Sequence, residues 1–137
     1  MIGAIRMGVH NSPRTALISV SIAEIIDRIT ILRIKLSRPD QFDPVQIETQ
    51  LRTYVDELSR LGLEACTSDL AYFLERVNRI LWRLEDEIRR CEAKRQFGAH
   101  FTCVARMIIR LNDRRARIRS EIDKLSDSGL RDTKSYA

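Results

Sequence analysis

Leu70, Leu74, Val77, Leu81, Leu84, Ile88 and Cys91 recur at alternating steps of four and three residues. Only a helix turns that spacing into one continuous apolar seam, because residues three and four apart share a helical face. Beside the seam runs a second stripe, Asn78, Trp82, Glu85, Arg89 and Glu92, polar apart from the single Trp of the chain. A helix of this kind must bury one narrow face against other helices. Any fold built around it is a helical one.

The flanking sequence supplies the other helices. Ser21, with Glu24 three residues on, reads as a capping box ahead of Ile22, Ile25, Ile26, Ile29, Leu32 and Leu36. Arg38-Pro39 ends that helix, since the residue before a proline avoids the helical region. Asp43-Pro44 is a second start, with an acceptor at the cap and proline in the first turn. Ile47, Leu51, Tyr54, Leu58 and Leu61 follow, and Gly62 stops them. Thr67-Ser68-Asp69 is expected to cap the third helix, which should run to about Arg95. The next apolar set is Phe101, Val104, Ile108, Leu111, Ile118, Ile122 and Leu125, out of phase with the seam before it. The slip falls near Gly98 and predicts a turn there. The expected architecture is therefore all-α, an antiparallel bundle of about four helices with a long αα-hairpin over about 67–95 and 99–126.

A chain of 137 residues suits one domain. Residues 1–15 read as a flexible leader and 16–137 as a single helical domain. Thr15 to Val20, TALISV, is short and β-prone, and its backbone must pair with another copy, lie on the bundle or join the first helix. The tail to Ala137 is polar. Because helices one and two are shorter than three and four, part of the hairpin should lack cover, which predicts a homodimer.

Several chemistries are excluded by what is missing. Cys66, Cys91 and Cys103 form no CxxC pair, and His10 and His100 are too few and too scattered along the chain for a zinc motif. Neither His has a Glu three residues before it, so the di-iron bundle pattern fails, and no metal or cofactor is expected. No Ser lies in a His–Asp arrangement suited to hydrolysis. No run is long enough to span a membrane or to export the chain, and with an odd cysteine count a reducing, cytoplasmic setting is expected.

What remains is charge. The formal net charge is +5, and the whole excess falls after residue 66. Arg106, Arg110, Arg114 and Arg117 form a stripe on the fourth helix, with Arg115 and Arg119 beside it and Asp113 the one acid among them. Acids on the third helix are their natural partners. Residues level across the hairpin place Glu85 and Asp86 near Arg106 and Arg110, so an ion pair between these sets is expected. Asn78 and Asn112 border apolar seams and, if buried, must be hydrogen-bonded. Asn78, Glu85, Asp86, Arg89, Arg106, Arg110, Asn112, Asp113 and Arg115 are thus the candidates for a polar cluster or an anion site.

Taken together, Glu24, Asp27, Arg28, Ile29, Thr30, Ile31, Leu32 and Lys35, then Val77, Asn78, Leu81, Trp82, Glu85, Asp86, Ile88, Arg89 and Glu92, make a long ordered pattern. Phe97, Phe101, Ala105, Arg106, Asn112, Asp113, Arg115, Ala116 and Ile118 extend it, and Lys134-Ser135-Tyr136 closes it. This resembles a small bacterial family known only as a domain of unknown function, over about Ile18 to Tyr136. Arg28 stands where that family has Lys, and Gly98 where it has Asp. The resemblance implies a helical domain and a setting near surface-polysaccharide and glycosyltransferase genes, but no activity. The function expected is a protein-interaction or assembly module that self-associates. The alternatives are a small helical enzyme or anion-binding protein of the chorismate-mutase kind, or a nucleic-acid binder using the fourth helix.

Overall fold

The computed structural model describes residues 13–127. They form four helices: α1 (Ile22–Leu36), α2 (Pro44–Arg60), α3 (Glu64–Ala93) and α4 (Ala99–Leu125). The expected all-α bundle with a long α3–α4 hairpin is what the chain adopts. The expected leader lies largely outside the described residues, as does the tail from 128.

The first two helix starts follow their local signals. Ser21 Oγ accepts from the Glu24 amide at 3.2 Å, and Asp43 Oδ1 accepts from the Val45 amide at 3.1 Å. The return half of the capping box is not made, because the Glu24 carboxylate is drawn to Arg28 and Arg119 instead. Gly62 ends α2 in the left-handed region at φ +67°, with Gly62 and Leu63 amides bonded back to Ser59 and Leu58. Leu63 closes the α2 stop through its amide and is also the N-cap residue of α3. The third helix therefore starts at Glu64, before the expected Thr67-Ser68-Asp69 cap, and Thr67 Oγ donates to the Leu63 carbonyl at 2.7 Å.

The hairpin turn falls where the phase slip places it. α3 stops at Ala93 and α4 starts at Ala99, and the left-handed residue between them is Arg95 at φ +51°. Gln96 N–H bonds to Cys91 O at 2.9 Å and Arg95 N–H to Glu92 O at 3.1 Å, the pattern of a Schellman stop. Gly98 is the extended residue that caps α4, with no side chain to offer.

The centre of the bundle is α1, the shortest helix, rather than α3. It packs against α2, α3 and α4, and so buries Ala23, Ile25, Ile26, Ile29, Leu32 and Ile34 on nearly every face. Helices apolar all round are those enclosed by others. Leu58 of α2, Leu74 of α3 and Ile122 of α4 close on Ala23, Ile26 and Ile29. At 1.5 Å per residue α1 is about 22 Å long against about 45 Å for α3, so it covers only part of the hairpin. Toward the turn the two long helices have only each other. Cys91 and Val104 are buried between them, whereas Cys103, one position from Val104, is exposed.

Candidate functional site: a buried carboxylate held by two arginines

Within the apolar centre sits Asp27, on α1 and only 2% exposed. A carboxylate cannot be buried without partners, and this one draws them from two other helices. Asn78 of α3 donates Nδ2 to Asp27 Oδ1 at 2.8 Å and to Thr30 Oγ1 at 2.8 Å. Thr30 in turn donates to the Asp27 carbonyl at 2.8 Å. From α4, Arg115 presents Nε at 3.3 Å to Oδ1 and Nη2 to Oδ2. Arg119 Nη1 reaches Oδ2 at 2.6 Å, and its Nη2 reaches Glu24 at 2.8 Å. One α1 carboxylate thereby ties α3 to α4. Burial alone would raise the pKa of Glu24, but hydrogen bonds from Arg119 and Arg28 outweigh it and hold it below the ordinary value.

A second carboxylate does related work nearby. Asp123, near the end of α4, accepts the Ala23 amide at 2.9 Å and so caps the first turn of α1 from another helix. Its other oxygen, Oδ2, is buried with no hydrogen-bond partner among the described residues.

Glu24, Asp27, Arg28, Lys35, Gln50, Tyr54, Arg115 and Arg119 line an open cleft of about 290 Å³ between α1, α2 and α4. That is at the small end for ligand sites. Its arginines are already engaged: Arg28 with Glu24, Arg115 with Asp27, and Arg119 with both acids.

The candidates read from sequence are divided by this geometry. Asn78 and Arg115 belong to the network. Asp86 pairs with Arg38 of the α1–α2 loop at 3.1 Å, not with Arg106 or Arg110. Arg38 also lies over Trp82, 5.2 Å from the ring, and Phe42 meets that ring edge-on. Glu85, Arg89, Arg106 and Arg110 are exposed, and no ion pair engages them among the described residues. The expected pairing of Glu85 or Asp86 with Arg106 or Arg110 is thus absent: the α1–α2 loop takes Asp86 through Arg38, and Glu85, Arg106 and Arg110 stay at the surface. Asn112 and Asp113 are half-buried on α4 outside the network.

Sequence reasoning passed over Asp27, Thr30, Arg119 and Asp123 as site residues. The signal for Asp27 was present: an acid set among Ala23, Ile26 and Ile34 on a helix face that is otherwise apolar needs a cation from elsewhere. His100, in the first turn of α4, meets Glu87 of α3 at 2.9 Å, a pairing their separation in sequence conceals. This contact holds Glu87 below the usual carboxylate value, aided by Arg90.

These features define a small helical-bundle domain whose packing is pinned by a central polar knot rather than one shaped around an evident catalytic group. The chain belongs to a family of unknown function (DUF6165), whose model matches residues 16–137. No curated protein and no solved structure matches it. No helix among the described residues is long and apolar enough to cross a membrane.

Proposed function

We propose that this domain is an assembly module that associates with a second copy of itself through its N-terminal arm. The supporting observation is the state of Thr15 to Val20. The segment has no regular secondary structure ahead of α1, with Leu17 103% and Ile18 81% exposed. No backbone hydrogen bond joins it to the rest of the described residues. An uncharged, β-prone segment with open backbone groups is a template for pairing. Two identical arms can pair antiparallel across a two-fold axis without bringing like charges together. A two-stranded ribbon is marginal alone, so it needs apolar support. Leu125, two residues from the Asp123 that holds Ala23, is exposed and available for it.

Sedimentation of the full chain at tens of micromolar tests this. The expected result is a dimer burying more than ~1,000 Å². Ile18→Asp, which touches no core residue, should give a monomer of unchanged helicity. A wild-type monomer, or an Ile18→Asp dimer, refutes the reading.

One observation favours a second reading. Arg106, Arg110, Arg114 and Arg117 all lie exposed on α4, and no ion pair engages them among the described residues. Their spacing keeps them on one side of the helix over about 17 Å. Such a stripe suits a polyanion. If all four neutralise phosphates of duplex DNA, the logarithm of affinity should fall with the logarithm of salt at a slope near −3.6. A slope near zero removes this reading.

A further inference from the structure

We infer that the turn end of the α3–α4 hairpin is a transition-metal site, with Glu87, Cys91 and His100 as ligands for Zn²⁺. The ligand atoms of these residues all lie within 4.8 Å of one another. Glu87 and Cys91 are one helical turn apart on α3, and that spacing aims both side chains to one side of the helix. The Schellman stop at Arg95 reverses the chain within five residues, so His100 in the first turn of α4 comes back over them. Three donors of different type, on two helices joined by a fixed turn, form the site.

The distances suit a small rearrangement rather than a rebuilding. Zinc bonds of about 2.0 Å to nitrogen or oxygen and 2.3 Å to sulfur place tetrahedral ligand atoms about 3.4–3.6 Å apart. His100 Nε2 and Glu87 Oε1 already stand at 2.9 Å and need only part by about half an ångström to admit the ion between them. The other Glu87 oxygen, Oε2, is held by Arg90 Nη2 at 2.9 Å, the kind of outer contact that orients a ligating carboxylate. Cys91 lies 3% exposed, the buried member of the group, with its sulfur within 4.8 Å of the other two ligand atoms. On binding, the Cys91 thiol releases its proton to solvent and the S–Zn bond forms. The His100–Glu87 hydrogen bond is exchanged for two metal bonds, and two anionic ligands offset the charge of the ion. Thiolate with imidazole selects zinc or cobalt over magnesium or calcium. Because His100 and Glu87 face solvent, the fourth position is left for water.

The test uses the full chain with Cys66→Ser and Cys103→Ser, which removes the two exposed thiols, and cobalt(II) as probe. The expected result is one equivalent of tetrahedral cobalt with thiolate-to-metal absorption in the near ultraviolet, displaced by zinc. Cys91→Ser should abolish the thiolate band. His100→Gln, an exposed substitution that leaves the metal-free melting temperature unchanged, should weaken binding by more than ~100-fold, since even outer-sphere partners are worth 10–100-fold. An octahedral spectrum without the thiolate band overturns the proposal. So does cobalt binding that survives His100→Gln at full strength, or no cobalt binding at all.

Discussion

Removing the carboxylate of Asp27 should cost this protein a large part of its stability. Asp27 accepts from Asn78, from two nitrogens of Arg115 and from Arg119, in a position sealed from solvent. Each guanidinium at about 4 Å contributes a gross attraction near 4 kcal/mol at an effective dielectric of 20, partly offset by desolvation. What the variant Asp27→Ala loses is the net of these, plus the penalty of two arginines and an amide left facing one another. Breaking a buried pair in this way typically costs ~3–5 kcal/mol. Arg38–Asp86 is the internal control, because both side chains are partly exposed and loss of such a pair costs less than about 1 kcal/mol. Urea unfolding followed by the fluorescence of Trp82 reads both. With an m-value near 2 kcal/mol/M, Asp27→Ala should lower the midpoint by about 1.5–2.5 M, and Asp86→Ala by less than about 0.5 M. Adding Arg115→Met to Asp27→Ala should recover part of the loss, since the orphaned cation goes with its partner. If the Asp27 and Asp86 variants unfold at the same urea concentration, the network does not hold the bundle together.

Three further outcomes follow from single residues. Arg95→Gly should raise stability by about 0.5–1 kcal/mol in the same assay, because a side chain at φ +51° is strained and glycine is not; a loss would mean the Arg95 side chain makes a contact that matters more. Gly98→Asp should gain a few tenths of a kcal/mol by capping α4, as a Cβ there meets nothing within 4 Å and the first-turn amides lack a side-chain acceptor; an unchanged melting temperature would deny the cap. Glu24 titrates below its ordinary value when folded, so the unfolded chain takes up its proton first. Its contribution is therefore complete above about 4.5 and fades as pH falls through the lower folded value. Unfolding free energy measured across that range should fall less steeply for Glu24→Gln than for wild type, and equal slopes would refute the assignment.

The helices were legible in the sequence wherever a boundary has a local cause. Ser21, Asp43-Pro44 and Gly62 act through their own backbone neighbourhood, and all three stand where the sequence puts them. Thr67-Ser68-Asp69 misled because the stop of α2 runs directly into α3 through Leu63, so those polar residues already lie inside the helix. The break near Gly98 was legible from the phase slip, whereas the residue that turns the chain, Arg95 in the left-handed region, carries no sequence signal for it. The polar network was less legible for a different reason. Level positions along one hairpin relate α3 to α4 alone, and they pair Asp86 with α4. The partner actually chosen depends on how α1 and its loop cross both helices, which is a tertiary fact. Arg38 takes the Asp86 that the two-helix scheme assigns to α4, and Asp27 of α1, outside that scheme altogether, takes Arg115.

The cap that Asp123 places on Ala23 spans a hundred residues of chain. During synthesis α1 emerges early, yet three of its surroundings arrive only with α2, α3 and α4. Its first turn is not completed until nearly the whole described chain has left the ribosome. At 5–20 residues per second that wait is on the order of 5–20 s. Until then a helix with apolar residues on most of its faces lacks its full set of neighbours. Asp27 opposes an apolar contact of the nascent α1 with another chain, since burying that carboxylate without Arg115 and Arg119 is unfavourable. The same charge that fastens the finished bundle would thus act earlier as a deterrent to misassembly.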